Sequence, residues 1–321
     1  MAIREDKMRI AHQFAPPMSA MLAGLPGITA ATHIPQEDRW ALPTDVDVLF
    51  VLHGQGHDRD EANHAPRPAG WPGNVKLVQL ASAGADDYPP WLFEAPAVAS
   101  ASGTTAIPIG EYALAVMLAH AKQLAAITLK AGEEWPERTQ FIDQPLATLH
   151  GRTLGLIGLG NIARQVGKYA HAFGMEIIAA RASAAPSPDP YIRTAPLDEV
   201  VARADHLVLA APITPATQHL LNAERLARMK ATAHIVNVGR GGLIDQDALL
   251  AELDKGRLWA SLDVTDPEPL PAGHRLQGHP RCRITPHVSW SNPDINRRIM
   301  ERLVENIRLL GAGEPLLGAI D

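Results

Sequence analysis

TLGLIGLGNIARQVGKYAHAFG, residues 153–174, decides the fold. It opens with a short apolar run, turns at Gly158-Leu159-Gly160, and continues from Asn161 as an amphipathic pattern without proline. That is a strand, a glycine turn and a helix. Gly158 permits the tight turn, Gly160 lets backbone approach a pyrophosphate, and the helix start at Asn161 and Ile162 offers unpaired N–H groups with partial positive charge. Ala163 stands at the third glycine position, a replacement the dinucleotide fingerprint tolerates. A plain structural strand-turn-helix can look the same, so the next strand matters. EIIAAR (176–181) ends about 20 residues past the turn, where a bound ribose would lie. Together the two strands and the turn read as a dinucleotide site.

The end of that second strand is unusual. An Asp or Glu there accepts from a ribose 2′-hydroxyl and repels a 2′-phosphate, whereas this chain has Arg181, followed by Ser183. Both preferences reverse, so the expected cofactor is NADP(H) ahead of NAD(H), with Arg181 and Ser183 on the phosphate. The alternative is an arginine stacked on adenine without a phosphate contact.

Outward from this unit, short apolar runs alternate with helical patterns: DVLFVLH (47–53), KLVQLAS (76–82), HLVLAAP (206–212), HIVNVG (234–239), LWASLDV (258–264) and RCRITPH (281–287). Continuous apolar strands separated by helices indicate an α/β fold, a doubly wound parallel sheet covered on both faces. A chain of 321 residues exceeds one ordinary core and suits two domains. Two long helical patterns, 108–132 and 293–313, bracket everything that looks nucleotide-binding. The expected organisation is therefore a dinucleotide domain, 108–288, inserted into a domain formed by 1–107 and 289–321.

Composition excludes other classes. The net charge of −6 and pI near 6.2 leave no basic stripe, so nucleic acid is not an expected partner. The N-terminal stretch has mixed charge and no signal-peptide core, and the most apolar helical run, 112–127, is interrupted by His120 and Lys122, so no membrane span and a cytoplasmic location are expected. Cys282, the single cysteine, reads as a small strand residue. His53, His57, Asp58 and His64 lie close in sequence, but their spacing matches no metal site, and no metal is expected. No nucleophile elbow appears.

Four further segments follow in order: LVLAAPITPATQHLLN (207–222), MKATAHIVNVGRGGLIDQDAL (229–249), SLDVTDPEPL (261–270) and ITPHVSW (284–290). In order and spacing they resemble the D-isomer-specific 2-hydroxyacid dehydrogenase family over most of 75–310; the first 74 residues match only in outline. The resemblance implies a Rossmann cofactor domain inserted into a flavodoxin-like substrate domain, with Arg240, Glu268 and His287 as the catalytic residues. The chemistry suits them. An arginine fork holds a 2-oxo acid by its carboxylate and polarises the carbonyl. A histidine donates the proton that the reduced oxygen needs, and a carboxylate beside it orients the ring and favours its protonated form. As separate residues, the three could equally be a surface charge, a solvated acid and a strand-end histidine.

The resemblance also implies cofactor contacts from Ala211, Pro212, Thr217, Val238 and Gly239, with Asp263 at the nicotinamide amide. In LASAGADDY (80–88), the N–H groups of Ala83 and Gly84 would cradle the substrate carboxylate. His53, after its strand, would reach the substrate pocket. Trp290 either narrows that pocket or packs between domains. Thr265 departs from the family's usual aromatic, and HVSWSN from its usual run of small residues. The implied reaction is hydride transfer between NADP(H) and a small 2-oxo/2-hydroxy acid pair of the glyoxylate or hydroxypyruvate kind. The second long helical pattern ends near residue 313, so the regulatory domain of many phosphoglycerate dehydrogenases is not expected. A homodimer is expected, with helix 113–129 either its contact surface or an internal hinge. The rival reading is a non-catalytic protein of the same fold that senses the dinucleotide and binds protein partners.

Overall fold

The computed structural model describes residues 7–25, 27–52, 64–86, 88–183 and 185–320. The chain forms two compact units, one of residues 1–105 and 292–321, the other of 106–291.

In the first unit, β1 (Met8–His12), β2 (Ile28–His33), β3 (Val48–Val51), β4 (Leu77–Leu80) and β5 (Val98–Ala99) form one sheet of order β2-β1-β3-β4-β5, each neighbouring pair parallel. This is the flavodoxin-like order. Alternate side chains divide between the two faces. Leu49, Val51, Val78 and Leu80 pack with Trp71, Trp91 and Leu92, while Ile10, Val48, Phe50 and Leu77 pack with Leu22 of α1 (Pro17–Ala23) and with Ile299, Met300 and Leu303 of the long C-terminal helix, α9 (Ile295–Ala312). Gly313, left-handed at φ 69°, ends that helix.

The second unit contains β6 (Thr153–Ile157), β7 (Glu176–Ala180), β8 (Ile192–Thr194), β9 (His206–Leu209), β10 (His234–Asn237), β11 (Trp259–Leu262) and β12 (Cys282–Ile284). Its sheet order is β12-β11-β10-β9-β6-β7-β8, again all parallel. The order reverses between β6 and β9, and open α/β sheets bind ligands outside the carboxyl ends of the strands at such a reversal. One face is covered by α2 (Ala106–Ala121) and α5 (Asn161–Ala172), through Ala113, Val116 and Met117 on the first helix and Ala163, Val166 and Ala170 on the second. The other face is covered by α6 (Leu197–Arg203), α7 (Ala223–Arg228) and α8 (Gln246–Asp254).

The helix expected over 108–132 stops at Ala121. Gln123 turns left-handed at φ 48°, and only two short helical segments lie between it and β6, α3 (Leu124–Ile127) and α4 (Gln140–Asp143). The periodicity continues past 121, but the burial does not: Leu124 and Leu129 are exposed. Nothing there rewards a longer helix. The apolar face of 113–121 is therefore spent inside its own unit, against α5 and β10.

Candidate active site

The glycine turn lies at the carboxyl end of β6. Gly158 has φ +86°, and a Cβ there would meet the Ala210 carbonyl oxygen at 2.9 Å and Ala211 Cα at 3.0 Å, so no other residue fits. Gly160 differs: a Cβ there would meet nothing within 4 Å. The protein itself does not need glycine at 160; a ligand lying against the backbone would. Asn161 and Ile162 begin α5, whose first N–H groups have no side-chain cap. Ala163 is fully buried, and a Cβ on Gly167 would strike Ile192 at 2.8 Å, so close helix–sheet packing accounts for both small residues. The residues present thus fit a dinucleotide pyrophosphate.

Arg181 follows β7 and is exposed, as is Ser183; the Arg181 guanidinium reaches the Pro186 carbonyl at 3.5 Å. The only acid in 181–190, Asp189, is held by Arg164 of α5 at 2.6 and 3.3 Å, and that pairing lowers its pKa. In this loop no other carboxylate follows β7 to accept from a ribose hydroxyl.

After β9, the chain through Ala211 and Pro212 folds on itself: the Thr217 hydroxyl donates to the Pro212 carbonyl at 2.8 Å and accepts from the Thr214 N–H at 2.8 Å. This loop docks on the next one, with His219 N–H donating to the Gly242 carbonyl at 2.7 Å. After β10, Val238 is buried, Gly239 N–H donates to Asn237 Oδ1, and Asn237 Nδ2 donates to the Arg240 carbonyl. Arg240 donates from Nη1 to the Gly239 carbonyl at 2.9 Å.

Gly241 is a site residue that the sequence reading misses. A Cβ at that position would sit 2.0 Å from the Thr265 carbonyl carbon. Only glycine lets the Arg240 loop lie directly on the 265–268 segment that carries Glu268. The paired glycines after Arg240 are the available signal.

Glu268 and His287 are brought together, with His287 Nδ1 to Glu268 Oε1 at 2.7 Å and both side chains partly exposed. Thr265 N–H lies 3.4 Å from Glu268 Oε2. With Nδ1–H committed to the carboxylate, Nε2 carries a proton only when the ring is charged. His287 is left-handed at φ 53°, a conformation that costs a non-glycine residue about 1 to 3 kcal/mol and persists only where its surroundings hold it. The holding group is Asp263, 1% exposed. Its carboxylate accepts from Val288 N–H and Ser289 N–H, each at 3.0 Å, and from the Thr285 hydroxyl at 2.6 Å, while its carbonyl accepts from His287 N–H at 2.9 Å. One acceptor position remains, on Oδ2. Trp290, partly exposed, donates from its indole N–H to the His287 carbonyl at 2.8 Å.

Other expected residues fall elsewhere. Ala83 and Gly84 lie in the first unit just past β4, where the Ser82 hydroxyl donates to the Gly84 carbonyl at 2.6 Å. His53, His57 and Asp58 lie outside the described residues; His64 is exposed. Among the described residues no three His, Cys, Asp or Glu side chains are gathered as metal ligands, and no helix is long and apolar enough to cross a membrane. Burial pushes the Cys282 thiol up to about 12, which leaves it inert as a nucleophile.

Residues 114–289 match the family described as "D-isomer specific 2-hydroxyacid dehydrogenase, NAD binding domain". A hydroxypyruvate reductase of Thermotoga maritima is 33% identical over 86% of this chain and 88% of its own length. A D-3-phosphoglycerate dehydrogenase of Methanocaldococcus jannaschii is 33% identical over 89% of this chain, which spans 54% of that protein. Among solved structures, the TT0316 protein of Thermus thermophilus superposes with a TM-score of 0.74 and 29% identity, covering 98% of this chain and 100% of the other. A reversed parallel sheet, a glycine turn that a pyrophosphate fits and a histidine–carboxylate pair at the same sheet edge agree with these matches, and the chain belongs to the D-isomer specific 2-hydroxyacid dehydrogenases, NAD(P)-dependent oxidoreductases.

Proposed function

We propose that this enzyme reduces a small 2-oxo acid of the glyoxylate or hydroxypyruvate kind to the D-2-hydroxy acid, using NADP(H) in preference to NAD(H). The observation that carries the reading is the 2.7 Å bond between His287 Nδ1 and Glu268 Oε1 at the carboxyl edge of the cofactor sheet. Gly158, Gly160 and the start of α5 would hold the nicotinamide dinucleotide, which when bound would supply the hydride; the substrate oxygen then needs a proton. His287 gives that proton from Nε2, since its other nitrogen is held by Glu268. Arg240 holds the substrate carboxylate and polarises the carbonyl. Ala83 and Gly84 are proposed as backbone N–H donors to the substrate, and Trp290, in the loop of His287, as a substrate neighbour. Thr217, Ala211, Pro212, Val238 and Gly239 line the cofactor, with the remaining acceptor position on Asp263 Oδ2 for its amide. Arg181 and Ser183 take the 2′-phosphate.

The test is oxidation of NADPH and of NADH by the full chain with glyoxylate, hydroxypyruvate and 3-phosphohydroxypyruvate. Highest kcat/KM is expected for one of the two unphosphorylated acids with NADPH. A clear preference for the phosphorylated acid, or better use of NADH, would overturn the substrate or the cofactor part of the reading.

We further infer a homodimer. Leu124, Leu129, Trp135 and Ile142 are exposed within one stretch of the cofactor unit, with Trp135 at 80%, and a second copy would cover them. Light scattering should give twice the chain mass of 34.5 kDa; a mass of one chain would remove the dimer.

A further inference from the structure

The loop that carries His287 is tied to α2 by hydrogen bonds whose direction the chemistry dictates. Both oxygens of the Asp263 carboxylate accept backbone N–H groups, from Val288 and Ser289. Asp263 therefore acts as an acceptor, and the Thr285 hydroxyl, 2.6 Å from Oδ1, gives its single proton to it. The contact between Tyr112 and Thr285, 2.7 Å from hydroxyl to hydroxyl, can then run only one way. Tyr112 donates and Thr285 accepts. Burial first, with the Asp263 charge also contributing, raises the Tyr112 pKa, which keeps the phenol in the donor form.

This relay ends on a strained residue. Thr285 precedes His287 by two positions, and its carbonyl, with that of Asp263, accepts the His287 N–H. A left-handed histidine keeps its ring toward Glu268 only while the flanking backbone is pinned. The pins are Asp263 from one side and the Trp290 indole on the His287 carbonyl from the other. Tyr112 lies 173 residues from Thr285 in sequence, on a helix that bears none of the expected catalytic or cofactor residues.

We propose that Tyr112, acting through Thr285 and Asp263, is a positioning residue that sets the aim of His287 toward the substrate oxygen. The proposal rests on the reading of His287 as the proton donor. Without the phenol hydroxyl, Thr285 loses the donor to its hydroxyl, the Thr285–Asp263 bond is no longer polarised from behind, and the loop gains freedom at the atom that must deliver a proton.

Tyr112→Phe keeps the ring and removes only the hydroxyl, so folding is retained. With glyoxylate or hydroxypyruvate and NADPH, kcat should fall roughly tenfold, since small misplacement of a reacting group is costly to rate. KM for the dinucleotide should stay within about twofold, and the solvent deuterium isotope effect on kcat should rise, because proton delivery becomes more rate-limiting. Thr285→Val should lower kcat at least as far, the double variant should be no worse than Thr285→Val alone, and Thr285→Ser should restore most of the turnover. A packing role would move thermal stability without moving the isotope effect. Wild-type kcat and isotope effect in Tyr112→Phe, alongside a large loss in His287→Ala, would overturn the relay while leaving the acid assignment intact. Undiminished turnover in His287→Ala would remove both.

Discussion

In the proposed reading, Arg181 sets the phosphate preference of the cofactor site. It occupies the position from which a carboxylate would otherwise bind the ribose, and the nearest acid in the following loop, Asp189, is occupied by Arg164. A charged hydrogen bond to a phosphate is worth about 1.5 to 3 kcal/mol, or roughly tenfold to a hundredfold in preference. Arg181→Asp should therefore shift the ratio of kcat/KM for NADPH to that for NADH by about this factor toward NADH. An unchanged ratio in steady-state assays would mean that Arg181 does not face the phosphate. At this scale the sequence is legible where contacts are local: Gly158 makes the turn after β6, and Glu268 and His287 stand in motifs that the fold brings to 2.7 Å from one another. For Gly241 it offers only the paired glycines after Arg240, and for Tyr112 nothing. Their roles depend on what another loop brings beside them, Thr265 in one case and Thr285 in the other, and no short-range pattern encodes that.

Among the elements, the buried strands of both sheets are legible as apolar runs, since β3, β4, β6 and β9 are buried along their whole length. Strands without such a run escape notice. β2 alternates and is mostly accessible, β5 has two residues and β8 three, and β1 is flanked by charge. The pattern over 108–132 overstates its helix because hydrophobic periodicity outlasts the surface available to bury it. The strands also make stability depend on pH. At the amino ends of β9 and β10, His206 and His234 are buried with their Nδ1 atoms 3.3 Å apart, and His120 stacks on His234. Such a contact needs one nitrogen as donor and the other as acceptor. Burial, together with the neighbouring His120, lowers the His206 pKa from 6.5 to about 4, and His234 is lowered as well. A folded-state pKa below the unfolded one means that the unfolded chain binds more protons between those values, so stability is complete above pH 6.5 and falls as pH drops toward 4. For His206 alone the full loss is about 3 kcal/mol. Urea midpoints at about pH 7, 5.5 and 4.5 should decline in the wild type and decline less in His206→Gln. Equal slopes would show that this histidine is not held neutral by the fold.

Across the whole molecule, two parallel sheets with orders β2-β1-β3-β4-β5 and β12-β11-β10-β9-β6-β7-β8 give the chain its architecture. The cuts expected at 107/108 and 288/289 stand beside 105/106 and 291/292 in the structure. Domain insertion is readable because the strand–helix alternation changes owner at two long helical patterns; the substrate is not, because the segments after β1 and β3 lie where the family resemblance holds only in outline. The second sheet gathers at one edge the glycine turn after β6, Arg181 after β7, Arg240 after β10, Asp263 after β11 and His287 after β12. Parallel strands end on the same side, so residues far apart in sequence converge without any being adjacent in the chain. This edge is proposed to perform proton donation through His287. The direct measurement is kcat of His287→Ala against wild type, with NADPH and the best 2-oxo acid found, together with NADPH affinity by fluorescence. A loss of roughly 10² to 10⁴ in kcat with nearly unchanged NADPH affinity is expected, because the imidazole acts on the substrate oxygen and not on the cofactor. Turnover within a few-fold of wild type would contradict the claim.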